Sequence, residues 1–246
     1  MIKLKFPIIY IVLFLVVIFA VPLVSPYLDS PVTNISVNPS SEVLAETGTG
    51  NVTKEGPFGN ASSPVKIAYI VGVHPWEVYS HDAAAAAVKK NSKSLKYKYY
   101  IYNVSVVGGI DSDYETGRMD GQLLAQQYVV PDILKNDYQL AVDIHSNKGE
   151  EDFYDISWFL NVPYNDTRTN QIAQELVEKI PGMVLYDPPI SSSPYYVTIP
   201  LIENGTPAII YEASAYDPPE TRLALAEELL RAIDSLPLKY PVNQYY

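Results

Sequence analysis

His74 and Glu77 stand three residues apart in the run Val71-Gly72-Val73-His74-Pro75-Trp76-Glu77, and His145 closes the run Val142-Asp143-Ile144-His145. The chain has three histidines and no cysteine, so a metal site here must use imidazole and carboxylate ligands. Catalytic zinc takes three protein ligands, often two His and one carboxylate, and keeps a fourth position open for water. His74, Glu77 and His145 supply that set for one Zn2+ per chain. In a tight turn entering a helix, positions i and i+3 face the same side, so His74 and Glu77 reach one ion while His145 arrives from a neighbouring strand. Asp143 shares the strand face of His145 and is placed to support a liganding imidazole.

Hydrolysis at such a site also needs a base that takes a proton from water and returns it to the leaving group. Glu212, delivered by the apolar run Pro207-Ala208-Ile209-Ile210-Tyr211, is the candidate. Glu203 competes for the role, but its turn Glu203-Asn204-Gly205-Thr206 should face solvent. Arg118, one of four arginines, is the candidate for polarising the scissile carbonyl; its alternative is a solvated charge paired with Glu115 or Asp120. His81 reads as a helix-start residue or a support for the ligands. An HxxE pair alone is a weak pattern, and a strand-end histidine is often only a hydrogen-bonded rim residue. The weight lies in the common context: His74, His145 and Glu212 each follow directly on an apolar strand, and open α/β sheets bind ligands outside the carboxyl ends of their strands.

The elements that must deliver these residues are legible. Val65–Val73 is a nearly continuous β-branched run, as in a strand buried on both faces. Asp82–Lys90, with five consecutive alanines, is a helix. Lys96–Val107, Tyr138–Ile144, Trp158–Val162, Tyr195–Ile202 and Pro207–Tyr211 read as further strands. Helices are expected over Arg118–Lys135, kinked or split by Pro131, over Thr169–Ile180, and from Pro219 to about Ser235. The fold class is therefore α/β: one domain over residues 65–236, a mixed and mainly parallel sheet with helices on both faces. Residues 237–246 form a tail.

Lys3 and Lys5 precede an apolar stretch from Phe6 to Val24, long enough to approach the roughly 30 Å hydrocarbon core of a bilayer. Residues 1–25 are expected to be a transmembrane signal anchor, with a cleaved signal peptide as the alternative. The lysines keep that end cytoplasmic, so the domain lies outside the cytoplasm, on a single-pass anchor or secreted. Residues 26–64, rich in Ser, Thr, Asn, Gly and Pro, read as a flexible spacer. Six N-x-S/T sequons, at Asn34, Asn51, Asn60, Asn103, Asn165 and Asn204, agree with an exported and glycosylated surface. A formal net charge of −11, without a Lys/Arg cluster, argues against nucleic acid as a partner.

The order HxxE, distant strand-end His, late Glu resembles the zinc carboxypeptidase clan, and especially its short succinylglutamate desuccinylase and aspartoacylase branch. The resemblance covers about Val65 to Asp234. It implies His74, Glu77 and His145 as zinc ligands, Glu212 as general base and Arg118 as the carbonyl-polarising arginine. It also implies a substrate contact from Tyr195 or Tyr196, which lie where relatives carry a mobile tyrosine. The sequence shows no Asn-Arg pair of the kind the family uses to hold a terminal carboxylate, which favours the general expectation of a zinc amidohydrolase over that of an exopeptidase. Its substrate is then a peptide or N-acyl amide, with cell-envelope peptide as one source. A non-catalytic cell-surface binding module on the same fold is the rival reading.

Overall fold

The computed structural model describes residues 38–152, 154–189 and 192–239. The expected membrane anchor and the end of the tail lie outside these residues. Among the described residues no helix is long and apolar enough to cross a membrane.

In chain order the strands are β1 (Ser40–Glu46), β2 (Gly50–Gly59), β3 (Lys66–Val71), β4 (Lys98–Val106), β5 (Leu140–Asn147), β6 (Phe159–Asn161) and β7 (Ala208–Ser214). The helices are α1 (Val78–Asn91), α2 (Tyr114–Leu124), α3 (Val130–Lys135), α4 (Thr167–Lys179), α5 (Thr198–Glu203) and α6 (Pro219–Ser235). Among the described residues one sheet holds these seven strands in the order β1-β2-β4-β3-β5-β7-β6. β4, β3, β5 and β7 run parallel at its centre, and antiparallel β1-β2 and β6 flank them.

Strand alternation sorts the two cores. Ile67, Tyr69 and Val71 of β3, with Leu140, Val142 and Ile144 of β5, pack against Ala84, Ala87 and Val88 of α1 and against α4 and α6. Ala68 and Ile70 of β3, with Ala141 of β5, pack against Leu124, Val130 and Ile133 on the other face. Period two therefore puts Asp143, His145 and Glu212 on the α2/α5 face of the sheet. The chain leaves β3 toward the α1 face and β4 toward the α2 face. A crevice opens at carboxyl ends where connections diverge in this way.

Three expectations are corrected. The segment read as a spacer to residue 64 contributes β1 and β2, with Val52 and Phe58 buried. These strands extend one edge of the sheet and keep polar residues outward, so their composition imitates a linker. Tyr195–Ile202 is not a strand: a 3-10 turn at Ser193–Tyr195 leads into α5, whose Leu201 and Ile202 bury with Val197 on one side. Pro200 is tolerated there because it falls in the first turn of the helix. The expected helix at Arg118 starts earlier, at Tyr114, where Asp113 caps it by accepting from the Thr116 N–H at 3.0 Å. A π-helical turn over Ala125–Val129 then splits it just before Pro131, whose ring has no N–H to donate to the carbonyl four residues back.

Candidate metal centre

The loop after β3 begins at Gly72, whose φ of +85° suits glycine and whose missing Cβ would lie 1.9 Å from the Val104 carbonyl oxygen. Two residues on, the Glu77 N–H donates to the His74 carbonyl at 3.2 Å, closing the turn that enters α1. This turn sets the two side chains together, with His74 Nδ1 2.7 Å from Glu77 Oε1. From β5, His145 Nδ1 lies 2.8 Å from Glu77 Oε2 and 3.1 Å from His74 Nδ1. The Ser146 N–H donates to Glu77 Oε2 at 3.1 Å and fixes the carboxylate.

Both histidines thus aim the same ring nitrogen at one point, and a carboxylate closes it. A tetrahedral zinc with ligands at about 2.0–2.1 Å would set these atoms roughly 3.3 Å apart, so a few tenths of an ångström of opening fits the ion. His74, Glu77 and His145 form the group of His, Asp or Glu residues able to share a metal among the described residues.

The electrostatics make the same demand for a cation. Burial opposes the charge on His145, but Asp143 and then Glu77 outweigh it and raise its pKa well above the usual imidazole value. Burial likewise opposes ionisation of Glu77, yet His74 and His145 hold it well below the ordinary carboxylate range. Burial pushes His74 down, with Glu77 opposing. A proton on His145 thus occupies the place of positive charge between two carboxylates. Its Nε2 lies 3.1 Å from Asp143 Oδ1, close enough for ionic attraction but off hydrogen-bond alignment, so neither buried atom has an aligned partner. Asp143 also accepts from the Thr198 hydroxyl at 3.4 Å.

His81 sits inside α1, and its Nε2–H donates to the Ile144 carbonyl at 3.0 Å. Burial lowers its pKa to about 4. It braces α1 against β5 behind the ligands.

Glu212 lies beside His145 in the parallel ladder. Burial raises its pKa to about 8, with His145 opposing and Glu77 adding to the rise. Asn147 donates to Glu212 Oε2 at 3.1 Å. Asn147 was recoverable from the sequence, because it follows His145 by two residues and so shares its face. A cleft of about 560 Å³ runs over the centre, walled by Arg118, Tyr114 and Glu115 from α2 and by Tyr154, Glu151 and Ser192 from loops. Arg118 Nε donates to the Ser192 hydroxyl at 3.2 Å, and among the described residues it pairs with neither Glu115 nor Asp120. Glu203 is exposed at the end of α5. Tyr195 is 69% exposed and Tyr196 packs on the core beside Val197; neither is among the described residues that line the cleft. Tyr154 lines it instead. No periodic pattern marked Tyr154, since it lies in an irregular loop.

No protein-family model matches the chain, and no curated protein matches it. Solved structures do. The metallo-carboxypeptidase of Pseudomonas aeruginosa, in complex with (2-guanidinoethylmercapto)succinic acid, superposes with a TM-score of 0.56 at 14% identity over 79% of this chain and 64% of that one. The tripeptide-bound cell shape determinant protein of Helicobacter pylori gives 0.52 at 11% identity over 79% and 57%. The succinylglutamate desuccinylase/aspartoacylase of Rhodobacter sphaeroides gives 0.51 at 13% identity over 81% and 66%. The chain spans about two-thirds or less of the length of each. These likenesses show that the chain has the α/β fold shared by the metallo-carboxypeptidases and the succinylglutamate desuccinylase/aspartoacylase, and it carries a His/Glu/His candidate metal site at the carboxyl ends of its central strands.

Proposed function

We propose that the protein is a zinc-dependent hydrolase of an amide bond in a peptide or N-acyl amino acid. The observation that carries this reading is the convergence of His74 Nδ1, His145 Nδ1 and the Glu77 carboxylate within 3.1 Å, with Glu212 on the adjacent strand. His74, Glu77 and His145 would hold zinc, which supplies Lewis-acid activation of water and of the scissile carbonyl. Glu212, buried and held by Asn147, takes a proton from water as the water oxygen bonds to the scissile carbonyl carbon, and delivers it to the departing amide nitrogen as the C–N bond breaks. A carboxyl pushed toward neutral pH is suited to both halves of that transfer. Arg118, on the cleft wall, offers N–H donors to a carbonyl or carboxylate oxygen of the substrate. The fold's relatives support this class: one holds a succinic acid derivative and another a tripeptide.

Metal analysis of the purified protein, followed by a screen of N-acyl amino acids and short peptides with and without chelator, tests the proposal. One zinc per chain and chelator-sensitive amide cleavage are expected; a protein that takes up no zinc on incubation with it would sink the reading. We further propose that this chemistry takes place outside the cytoplasm, on the motive of Lys3, Lys5 and the apolar stretch Phe6–Val24. Protease digestion of intact cells should then remove the domain, and full protection would overturn that placement.

A further inference from the structure

Gln122 lies one turn beyond Arg118 on α2 and is 1% exposed. Its Nε2 is 3.1 Å from His74 Nε2 and 3.0 Å from the Ser192 hydroxyl. Its Oε1 is buried without a hydrogen-bond partner. A neutral, fully buried amide with an idle oxygen, touching the outer nitrogen of a metal-ligand histidine, calls for an explanation.

We propose that Gln122 is a positioning residue of the metal centre, whose carboxamide sets which nitrogen of His74 carries the proton. The inference rests on the zinc reading above. With the amide nitrogen placed against His74 Nε2, a neutral ring would carry its proton on Nδ1, which faces Glu77 Oε1 at 2.7 Å. A metal at this centre needs the Nδ1 lone pair, so the proton of the neutral ring must reside on Nε2. That N–H then requires an acceptor where Gln122 now presents a donor.

A half-turn of the carboxamide exchanges its two ends without moving another atom. It sets Oε1 against His74 Nε2–H and the Ser192 hydroxyl, two donors for an oxygen that now has none, and the NH2 takes the place Oε1 leaves. Glutamine therefore satisfies His74 with either nitrogen protonated. A carboxylate could serve only a ring with its proton on Nε2, and an apolar side chain neither form. Ligating histidines gain basicity and a fixed orientation from such a partner on the second nitrogen. Gly117 and Gly121 give Gln122 its reach, because a Cβ at Gly121 would meet the Val73 carbonyl oxygen at 2.0 Å.

The test is zinc competition against a chelator of known affinity, on the full chain and on Gln122→Met and Gln122→Glu. The methionine variant, equal in length but without the amide, should bind zinc about 10–100-fold more weakly. The glutamate variant should bind at least as tightly as the parent, and long-range 15N–1H spectra of both the zinc-loaded parent and Gln122→Glu should show the His74 proton on Nε2. Parent-like affinity in Gln122→Met overturns the role of Gln122 and leaves the zinc reading standing. Should Gln122→Met fail to fold, a folded Gln122→Glu that loses tenfold or more in affinity overturns it equally. A parent that binds no zinc overturns the metal reading and this inference together.

Discussion

His145 on β5 is paired directly with Glu212 on β7 in the parallel ladder of the central sheet, so a candidate metal ligand and the candidate base are neighbours on one face. Their proximity is a matter of strand register. A slip of one residue would send Glu212 to the α1 face and leave His145 beside an apolar residue.

Replacing that base should separate binding from turnover. Glu212→Gln keeps the Asn147 neighbour and the burial but cannot accept the proton, so amide cleavage should fall by about 10²–10⁴-fold. Zinc content should stay that of the parent. Steady-state kinetics beside metal analysis check this, and unimpaired turnover would remove Glu212 from the role.

Metal removal should be visible in stability. Zinc held only by the folded chain stabilises it by about 2.7 kcal/mol at a free concentration 100 times Kd, so a chelator should lower the Tm of the parent. In His74→Ala or His145→Ala the chelator should change nothing, because each substitution removes a ligand. A chelator-induced shift of equal size in these variants would place the zinc elsewhere.

The close approach of α2 can be tested without replacing a polar side chain. Gly121→Ala would push a methyl against the Val73 carbonyl oxygen, and such overpacking costs about 1–3 kcal/mol. Denaturant unfolding should show that loss. Turnover should drop as well, since Arg118 ride on the same helix; parent-like stability and activity would mean that α2 shifts freely.

Alkaline pH gives a signed prediction. Tyr69, Tyr99, Tyr102, Tyr138 and Tyr211 all have pKa values raised by burial. An unfolded tyrosine ionises near pH 10, so above that the unfolded chain releases protons that the folded chain retains. Stability contributed by these neutral rings is complete below pH 10 and falls as pH rises beyond it. Unfolding monitored by tyrosinate absorbance should lose its midpoint steadily over that range, and a flat profile would contradict the burial.

Much of the candidate site was legible because strand ends and strand faces are local properties. The apolar runs before His74, His145 and Glu212 mark where strands stop, and period two ties Asp143 and His145 to one face. Glycine at 72 and the HxxE turn belong to the same local grammar. Where local pattern was ambiguous, it misled: Val197 and Leu201 suit an alternating strand, yet among the described residues no strand pairs with them, and they bury together at the start and on one side of α5.

The sequence by itself determined the ligand types, the faces they occupy and the kind of element that carries each. Tertiary structure alone decided that β5 lies between β3 and β7, that Gln122 and Ser192 meet behind His74, that Tyr154 and not Tyr195 lines the cleft, and that residues 40–59 complete the sheet. The physical reason is range. Periodicity reports which way a side chain points from its own strand or helix, whereas strand order, helix approach and loop placement depend on packing between segments far apart in the chain, 48 residues apart for His74 and Gln122.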